Sequence, residues 1–167
     1  MSKVQYKQIQ FILNGHEVSA SIDMRESLAD MLRNEFGMTS VKKGCEVGEC
    51  GACTVLIDGR PYDSCIFLAI WIDGRKVTTL EGLMDEDGSI SDIQQAFIDE
   101  AAVQCGFCTP GFILSAEHLL QTGKRYSRDE IRRELSGNMC RCTGYQNIIN
   151  AVEKTMDKRL EEKSESR

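Results

Sequence analysis

Apolar and polar residues alternate through Ile9, Phe11 and Leu13, and again through Val18, Ala20 and Ile22, with Asn14-Gly15 between the two runs. Alternation on both sides of an Asn-Gly pair predicts a β-hairpin with one buried face, because both residues tolerate the positive φ of a type I′ turn. From Ser27 the period lengthens. Leu28, Met31, Leu32 and Phe36 share one helical face, Ser27 with Asp30 supplies a start signal, and Gly37 is placed to end the helix. After a stretch rich in Gly and Cys, Thr54 to Ile57 reads as a strand that turns at Asp58-Gly59 and returns through Arg60 to Ser64. A last strand is expected over Val77 to Leu80. The order strand, strand, helix, cysteine loop, strands predicts a small α+β domain over residues 1–80.

Beyond Gly82 the helical period takes over, first in Ile93, Ala96, Phe97 and Ala101, then in Phe112, Ile113, Ala116, Leu119 and Leu120. Ser127 and Glu130 have capping-box spacing ahead of a third helix that turns Ile131 and Leu135 inward. A fourth is expected to open at Thr143, with Gln146 behind it, carrying Tyr145, Ile148, Ile149, Val152 and Met156. Residues 81–160 therefore read as a small helical bundle. Glu81 to Ser91, with Gly82, Gly88 and an acidic run, is the natural linker. The closing LEEKSESR lacks periodicity and is expected to give a flexible, solvated tail over 161–167.

Composition narrows the function. The chain has 167 residues, 41% of them hydrophobic, and a formal net charge of −6. No Lys/Arg stripe interleaved with aromatics is present to track a phosphate backbone, so nucleic acid is not an expected partner. The longest apolar stretch, Cys65 to Ile72, is far short of the ~20 residues that span a bilayer, and the first twenty residues lack a secretory signal. A cytoplasmic location without membrane insertion is expected. Eight cysteines in a reducing compartment are expected to be metal ligands or catalytic groups rather than disulfides.

Their spacing carries the chemistry. Cys45-x4-Cys50-x2-Cys53, followed after eleven residues by Cys65, begins with the plant-type ferredoxin spacing for a 2Fe–2S cluster. Such a cluster with its four thiolates is a compact anion, so the backbone must bend tightly round it and aim N–H groups at its sulfurs. Gly44, Gly48 and Gly51 permit those bends. A zinc ribbon would call for two CxxC pairs, and disulfides for an oxidising compartment. The second set is Cys105-x2-Cys108, a gap of 31 residues, then Cys140-x-Cys142. Cys108 precedes Thr109-Pro110, which resembles an N-cap followed by Pro at the first helical position, and Cys142 precedes Thr143. Two helix N-termini are thus expected to turn partial positive charge toward one anionic centre.

The segments VKKGCEVGECGACTVLIDG, SCIFLAIW, VQCGFCTPG and GNMCRCTGYQNI, in this order and including all eight cysteines, resemble the iron–sulfur subunit of the xanthine dehydrogenase family of molybdenum hydroxylases. The likeness runs from about residue 8 to about residue 155, and SCIFLAIW is nearest to the small subunits of bacterial xanthine dehydrogenases. It implies an N-terminal β-grasp, plant-type ferredoxin-like domain followed by a C-terminal four-helix domain. It implies two 2Fe–2S clusters, one on Cys45, Cys50, Cys53 and Cys65, the other on Cys105, Cys108, Cys140 and Cys142. It implies that Gln104 and Cys142 contact a molybdopterin held by another subunit, and that electrons pass from molybdenum through the second and then the first cluster to FAD on a third. Association as a dimer of heterotrimers follows from the same likeness. No Gly-rich dinucleotide fingerprint and no room for a molybdenum domain are present, so no substrate chemistry is expected on this chain alone. Relatives acting on nicotinate, aldehydes, carbon monoxide or aromatic thioesters share most of the motifs, so the organic substrate stays open. A free two-cluster ferredoxin and a zinc-stapled interaction module are the competing readings.

His16 and His118 read as ordinary surface or packed residues, Trp71 and the methionines as packing or interface residues, and Met139 and Phe107 as cluster shields. Lys42 and Lys43 are placed to tune the first site or to be a solvated pair, and Arg141, between two ligands, to touch a cofactor or partner.

Overall fold

The computed structural model describes residues 5–84 and 87–165. Strands β1 (Tyr6–Leu13) and β2 (His16–Asp23) form the expected antiparallel hairpin, with Ile9 opposite Ala20 and Leu13 opposite His16. Asn14 and Gly15 both take positive φ, 51° and 86°, as a type I′ turn demands. Ile9, Phe11, Leu13, Ala20 and Ile22 are buried on one face, against which helix α1 (Leu28–Asn34) lays Leu28, Met31 and Leu32. The Ser27 hydroxyl caps that helix by accepting the Asp30 amide at 3.1 Å. The helix stops ahead of Gly37, whose φ of 67° turns the chain so that the Met38 amide reaches the Leu32 carbonyl at 2.9 Å.

Strands β3 (Thr54–Ile57), β4 (Arg60–Asp63) and β5 (Lys76–Thr78) complete a five-stranded sheet of order β2-β1-β5-β3-β4. The β1–β5 pair is parallel and the others antiparallel. All four residues of β3 are buried, because the sheet is covered on both sides there: Val55 and Ile57 enter the first core, and the helix α3 (Thr109–Gln121) packs against β3 from the other side. The last strand is shorter than its apolar pattern, since Leu80 already belongs to a 3-10 turn, Leu80–Leu83. A second such turn at Ala69–Ile72, with no signal in the periodicity, buries Ala69 and Ile72 and leaves Trp71 outside.

The linker begins tied down. The Glu81 carboxylate accepts the Ser40 amide at 3.1 Å and the Thr79 hydroxyl at 2.6 Å, while the Asn14 side chain accepts the Thr79 amide at 2.8 Å. Asp85 and Glu86 of that stretch lie outside the described residues.

Helices α2 (Asp92–Asp99), α3, α4 (Arg128–Glu134) and α5 (Gln146–Glu165) enclose a second core of Ile93, Phe97, Phe112, Ala116, Ile131 and Val152. Ser127 and Glu130 form the expected reciprocal box, with Ser127 N–H donating to Glu130 Oε2 at 2.8 Å and Glu130 N–H to Ser127 Oγ at 3.3 Å. Arg159 of α5 bonds Asp92 of α2 at 2.6 Å and Glu117 of α3 at 2.8 Å, pinning three helices by one guanidinium. Two expectations need correcting. Helix α5 opens at Gln146 rather than Thr143, because Gly144 and Tyr145 both take left-handed backbone, φ 64° and 70°. The helix also continues to Glu165, so residues 161–165 are exposed helix rather than irregular tail: the apolar stripe ends near Leu160 but nothing there breaks the helix.

Candidate metal centres

The first loop runs from Val41, buried in the sheet core, to Cys53, buried likewise. Gly48 and Gly51 take positive φ of 76° and 65°. Gly44 does not: a Cβ there would stand 3.0 Å from Cys50 Sγ, so its role is close approach. The third left-handed position is Glu46, φ 59°, which residue type does not announce. These bends aim backbone N–H groups inward. Glu49 N–H donates to Cys45 Sγ at 3.3 Å, and the Val47 and Glu49 amides hold the Cys45 thiol down to about 7. Burial pushes the Cys53 thiol up to about 12. Asp63, beside it, is raised by burial too.

Lys43 is not part of a solvated pair. Its ammonium lies 2.7 Å from Asp30 of α1 and 2.8 Å from Glu46, so it ties the loop to the helix, and those carboxylates raise it to about 12. Lys42 donates to the Thr39 carbonyl at 2.7 Å.

The second site is assembled from three places. Cys108 directly precedes α3, which starts at Thr109, one residue earlier than its capping pattern suggests, with Cys108 as N-cap and Pro110 in the first turn. Cys105 lies in the turn ahead of it, and Cys140 and Cys142 in the loop before α5. Thr143, displaced from its expected capping role, turns back on Cys140: its hydroxyl and amide lie 3.1 Å and 3.4 Å from Cys140 Sγ. Burial pushes the Cys140 thiol up, but the Thr143 bonds together with those of the Cys142 amide and the Cys108 thiol outweigh it, and the net shift is downward. Burial raises Cys108 to about 12, and the neighbouring Cys105 thiol raises Cys142.

The eight thiols stand in pairs: Cys45 with Cys50, Cys53 with Cys65, Cys108 with Cys140, and Cys105 with Cys142. The Cys105 and Cys142 sulfurs are 3.7 Å apart. Two thiolates on one tetrahedral metal with bonds of about 2.3 Å are separated by about 3.7 Å, so the Cys105/Cys142 spacing fits one metal atom held by that pair. Two pairs per site is the donor set that two irons need. Cys53 and Cys108 are the buried members, whereas Cys105 and Cys142 face outward, with exposed Gln104 and Arg141 beside them in the chain. His16 is exposed; His118 Nδ1 lies 2.8 Å from the Gly59 carbonyl, a contact between the helical half and the β3–β4 turn.

The two loops meet. Met139 N–H donates to the Cys50 carbonyl at 2.9 Å, and the buried Asn138 amide donates to the Gly51 carbonyl at 2.9 Å while accepting the Ser115 hydroxyl at 2.7 Å. A Cβ on Gly111 would stand 2.2 Å from the Gly51 oxygen, and one on Gly51 2.4 Å from the Gly137 oxygen. Phe107 reaches the same seam, 3.5 Å from where a Cβ of Gly44 would be, and is half exposed, as is Met139. Asn138 and Gly111 carry no signal of this role in the sequence, showing only as a polar residue before a CxC and a glycine in a first helical turn, while Thr143 and Tyr145 read there as the start of the last helix.

Two sites of paired thiols are the donor arrangement of an iron–sulfur electron-transfer protein. Residues 11–80 match the family of the 2Fe-2S iron-sulfur cluster binding domain, and residues 79–153 that of the 2Fe-2S binding domain. The chain is 48% identical to the nicotine 6-hydroxylase small subunit of Paenarthrobacter nicotinovorans, with 87% of each chain covered. It is 49% identical to the xanthine dehydrogenase iron-sulfur-binding subunit of Escherichia coli O157:H7, over 86% of this chain and 91% of that one. A chain of quinoline 2-oxidoreductase from Pseudomonas putida 86 superposes with a TM-score of 0.87 at 42% identity, covering 91% of this chain and 93% of that chain. The chain belongs to the iron–sulfur small-subunit family of the xanthine dehydrogenase-type molybdenum hydroxylases.

Proposed function

We propose that this chain is the electron-relay subunit of a multi-subunit molybdenum hydroxylase, and that all eight cysteines are cluster ligands. When bound, two 2Fe–2S clusters supply one-electron redox chemistry. Cys45 and Cys50 would hold one iron of the first site and Cys53 and Cys65 the other; Cys105 with Cys142, and Cys108 with Cys140, would divide the second in the same way. The single observation that carries the relay is the Met139 amide on the Cys50 carbonyl at 2.9 Å, which joins the backbone of the two ligand sets by one hydrogen bond.

The finer reading follows from placement. The five-stranded mixed sheet with α1 on one face supports a β-grasp domain over 1–80, and α2 to α5 a four-helix domain over 81–160. The outward Cys105/Cys142 pair with Gln104 is the side on which a molybdopterin-bearing subunit would seat, Gln104 and Cys142 making the pterin contacts. Exposed Val47 and Ile66 border the first loop, where a flavin-bearing subunit would seat. A dimer of heterotrimers in the cytoplasm completes this reading; no described helix is long and apolar enough to cross a membrane. The organic substrate belongs to the molybdenum subunit, with xanthine or another purine as the leading assignment and nicotinate, aldehydes or carbon monoxide as alternatives. The test is purification from the native source. Comigration on a sizing column with molybdenum and flavin, and about four iron per chain, is expected. A chain that runs alone without either would be a free ferredoxin, and a colourless one holding zinc would not be an electron carrier.

A further inference from the structure

The Cys140 sulfur is served by a side-chain hydroxyl as well as by backbone. Thr143 Oγ1 stands 3.1 Å from it and the Thr143 amide 3.4 Å. A hydroxyl has one proton and two lone pairs. Here the Tyr145 amide donates to Thr143 Oγ1 at 3.3 Å, which occupies a lone pair and leaves the proton for the sulfur. Tyr145 closes the loop from the other side: its hydroxyl accepts the Cys140 amide at 3.1 Å, and its ring packs edge-on against Phe112 at 6.1 Å. This geometry requires consecutive left-handed residues at Gly144 and Tyr145, φ 64° and 70°. A tyrosine held in that region is a strained position, and strain that the surroundings maintain clusters at functional sites. The strain here is spent on fixing one sulfur.

We propose that Thr143 is a positioning residue that sets the reduction potential of the second site by holding its hydroxyl proton on Cys140 Sγ; this rests on the reading that Cys140 is a ligand there. One-electron reduction adds one negative charge, shared between iron and its sulfurs. A donor on a thiolate is worth more to the more negative state, so the hydroxyl favours the reduced form. The first site has amide donors on Cys45 from its bent backbone. Replacing Thr143 by Val removes the hydroxyl, which is the donor to Cys140 Sγ and the acceptor of the Tyr145 amide, keeps the 3.4 Å amide, and leaves the donors of the first site untouched.

The experiment is a potentiometric titration of the purified complex, followed by electron paramagnetic resonance that resolves the two reduced signals, on the parent, Thr143→Val and Thr143→Ser. In T143V the second site should become harder to reduce by roughly tenfold, about 59 mV for a one-electron couple, with the first site unmoved. T143S, which keeps the hydroxyl, should stay near the parent. Full iron content and two signals with an unshifted second midpoint in T143V would overturn the proposal and leave the cluster assignment standing. An equal shift in T143S would overturn it as well, since loss of the methyl would then suffice. If T143V cannot hold its second cluster, Thr143→Ala takes its place; loss of the cluster in both, with T143S intact, would make Thr143 structural rather than potential-setting. A parent complex lacking the second signal altogether would remove the ligand reading and the proposal with it.

Discussion

The two thiol sites reach the same donor set by opposite routes. Three ligands of the first, Cys45, Cys50 and Cys53, sit in nine consecutive residues, and the loop shapes itself with left-handed backbone at Glu46, Gly48 and Gly51. The second gathers ligands from segments 31 residues apart and fixes them with side chains, Thr143 on the Cys140 sulfur and Tyr145 on its amide. A local loop can be encoded by residue type; a site drawn from distant segments depends on the helices that bring them together.

The largest effects expected separate the two sites by metal content. Cys50→Ala should remove the first cluster and Cys142→Ala the second, each leaving about two of about four iron per chain. Rapid mixing of the assembled complex with substrate should then show C50A still passing electrons from molybdenum to this chain while flavin reduction stops, and C142A blocked at the exit from molybdenum. Flavin reduced at the parent rate in a correctly assembled C50A complex would break the linear order.

Next comes the dependence of each site on the metal. Iron removal should lower amide-exchange protection across Lys42 to Cys53, leaving the Lys43 ion pairs and the Met139 and Asn138 hydrogen bonds to hold the loop, and should loosen the pairing of helices around Cys105 to Cys142. Hydrogen exchange read by mass spectrometry on apo and holo chains checks this, and equal protection in the two would mean that the loops do not need the cluster.

The seam between the sites is the third target. Asn138→Leu strands the Ser115 hydroxyl and withdraws a donor from the buried Gly51 carbonyl, a loss of about 1–3 kcal/mol in thermal or urea unfolding. Gly111→Ala should be at least as harmful, because its Cβ would sit 2.2 Å from a backbone oxygen, whereas Gly137→Ala, with open space at its Cβ, should be silent.

The smallest effect lies within the helical half. Arg159 holds the Asp92 carboxyl below its ordinary range. A depressed folded value means that this stabilisation is complete above the usual carboxylate range and disappears as pH falls through the depressed one. Asp92→Asn should therefore cost about 1 kcal/mol at neutral pH, less in high salt, and nothing in strong acid. A cost that does not change between neutral and acid unfolding series would show the triad to be a packing contact rather than an ionic one.

Much of this was legible before any coordinates. The Asn14-Gly15 hairpin, α1 behind Ser27, the Ser127–Glu130 box and the two cysteine sets each advertise themselves through local spacing. What stayed hidden is long-range or strained. Gly111 carries meaning only once β3 and α3 are packed together. Thr143 looked like a cap because Thr is a good cap; its sulfur contact depends on Tyr145 accepting a backbone conformation that tyrosine disfavours. Glu46 is a second case, taking a left-handed turn between two glycines better suited to it.

The Gly51 carbonyl receives the Thr54 amide at 3.2 Å, the Thr54 hydroxyl at 2.7 Å and the Asn138 side chain at 2.9 Å, with the Gly111 backbone pressed against it. One oxygen atom thus makes the two halves poor candidates for exchange. Grafting an unrelated ferredoxin onto these helices would meet a loop whose oxygen is positioned for a different neighbour, and recombination between distant relatives at residue 80 would have to carry Gly51, Gly111 and Asn138 as a set. Modular as the chain looks on paper, its two halves are fitted to each other at this one atom.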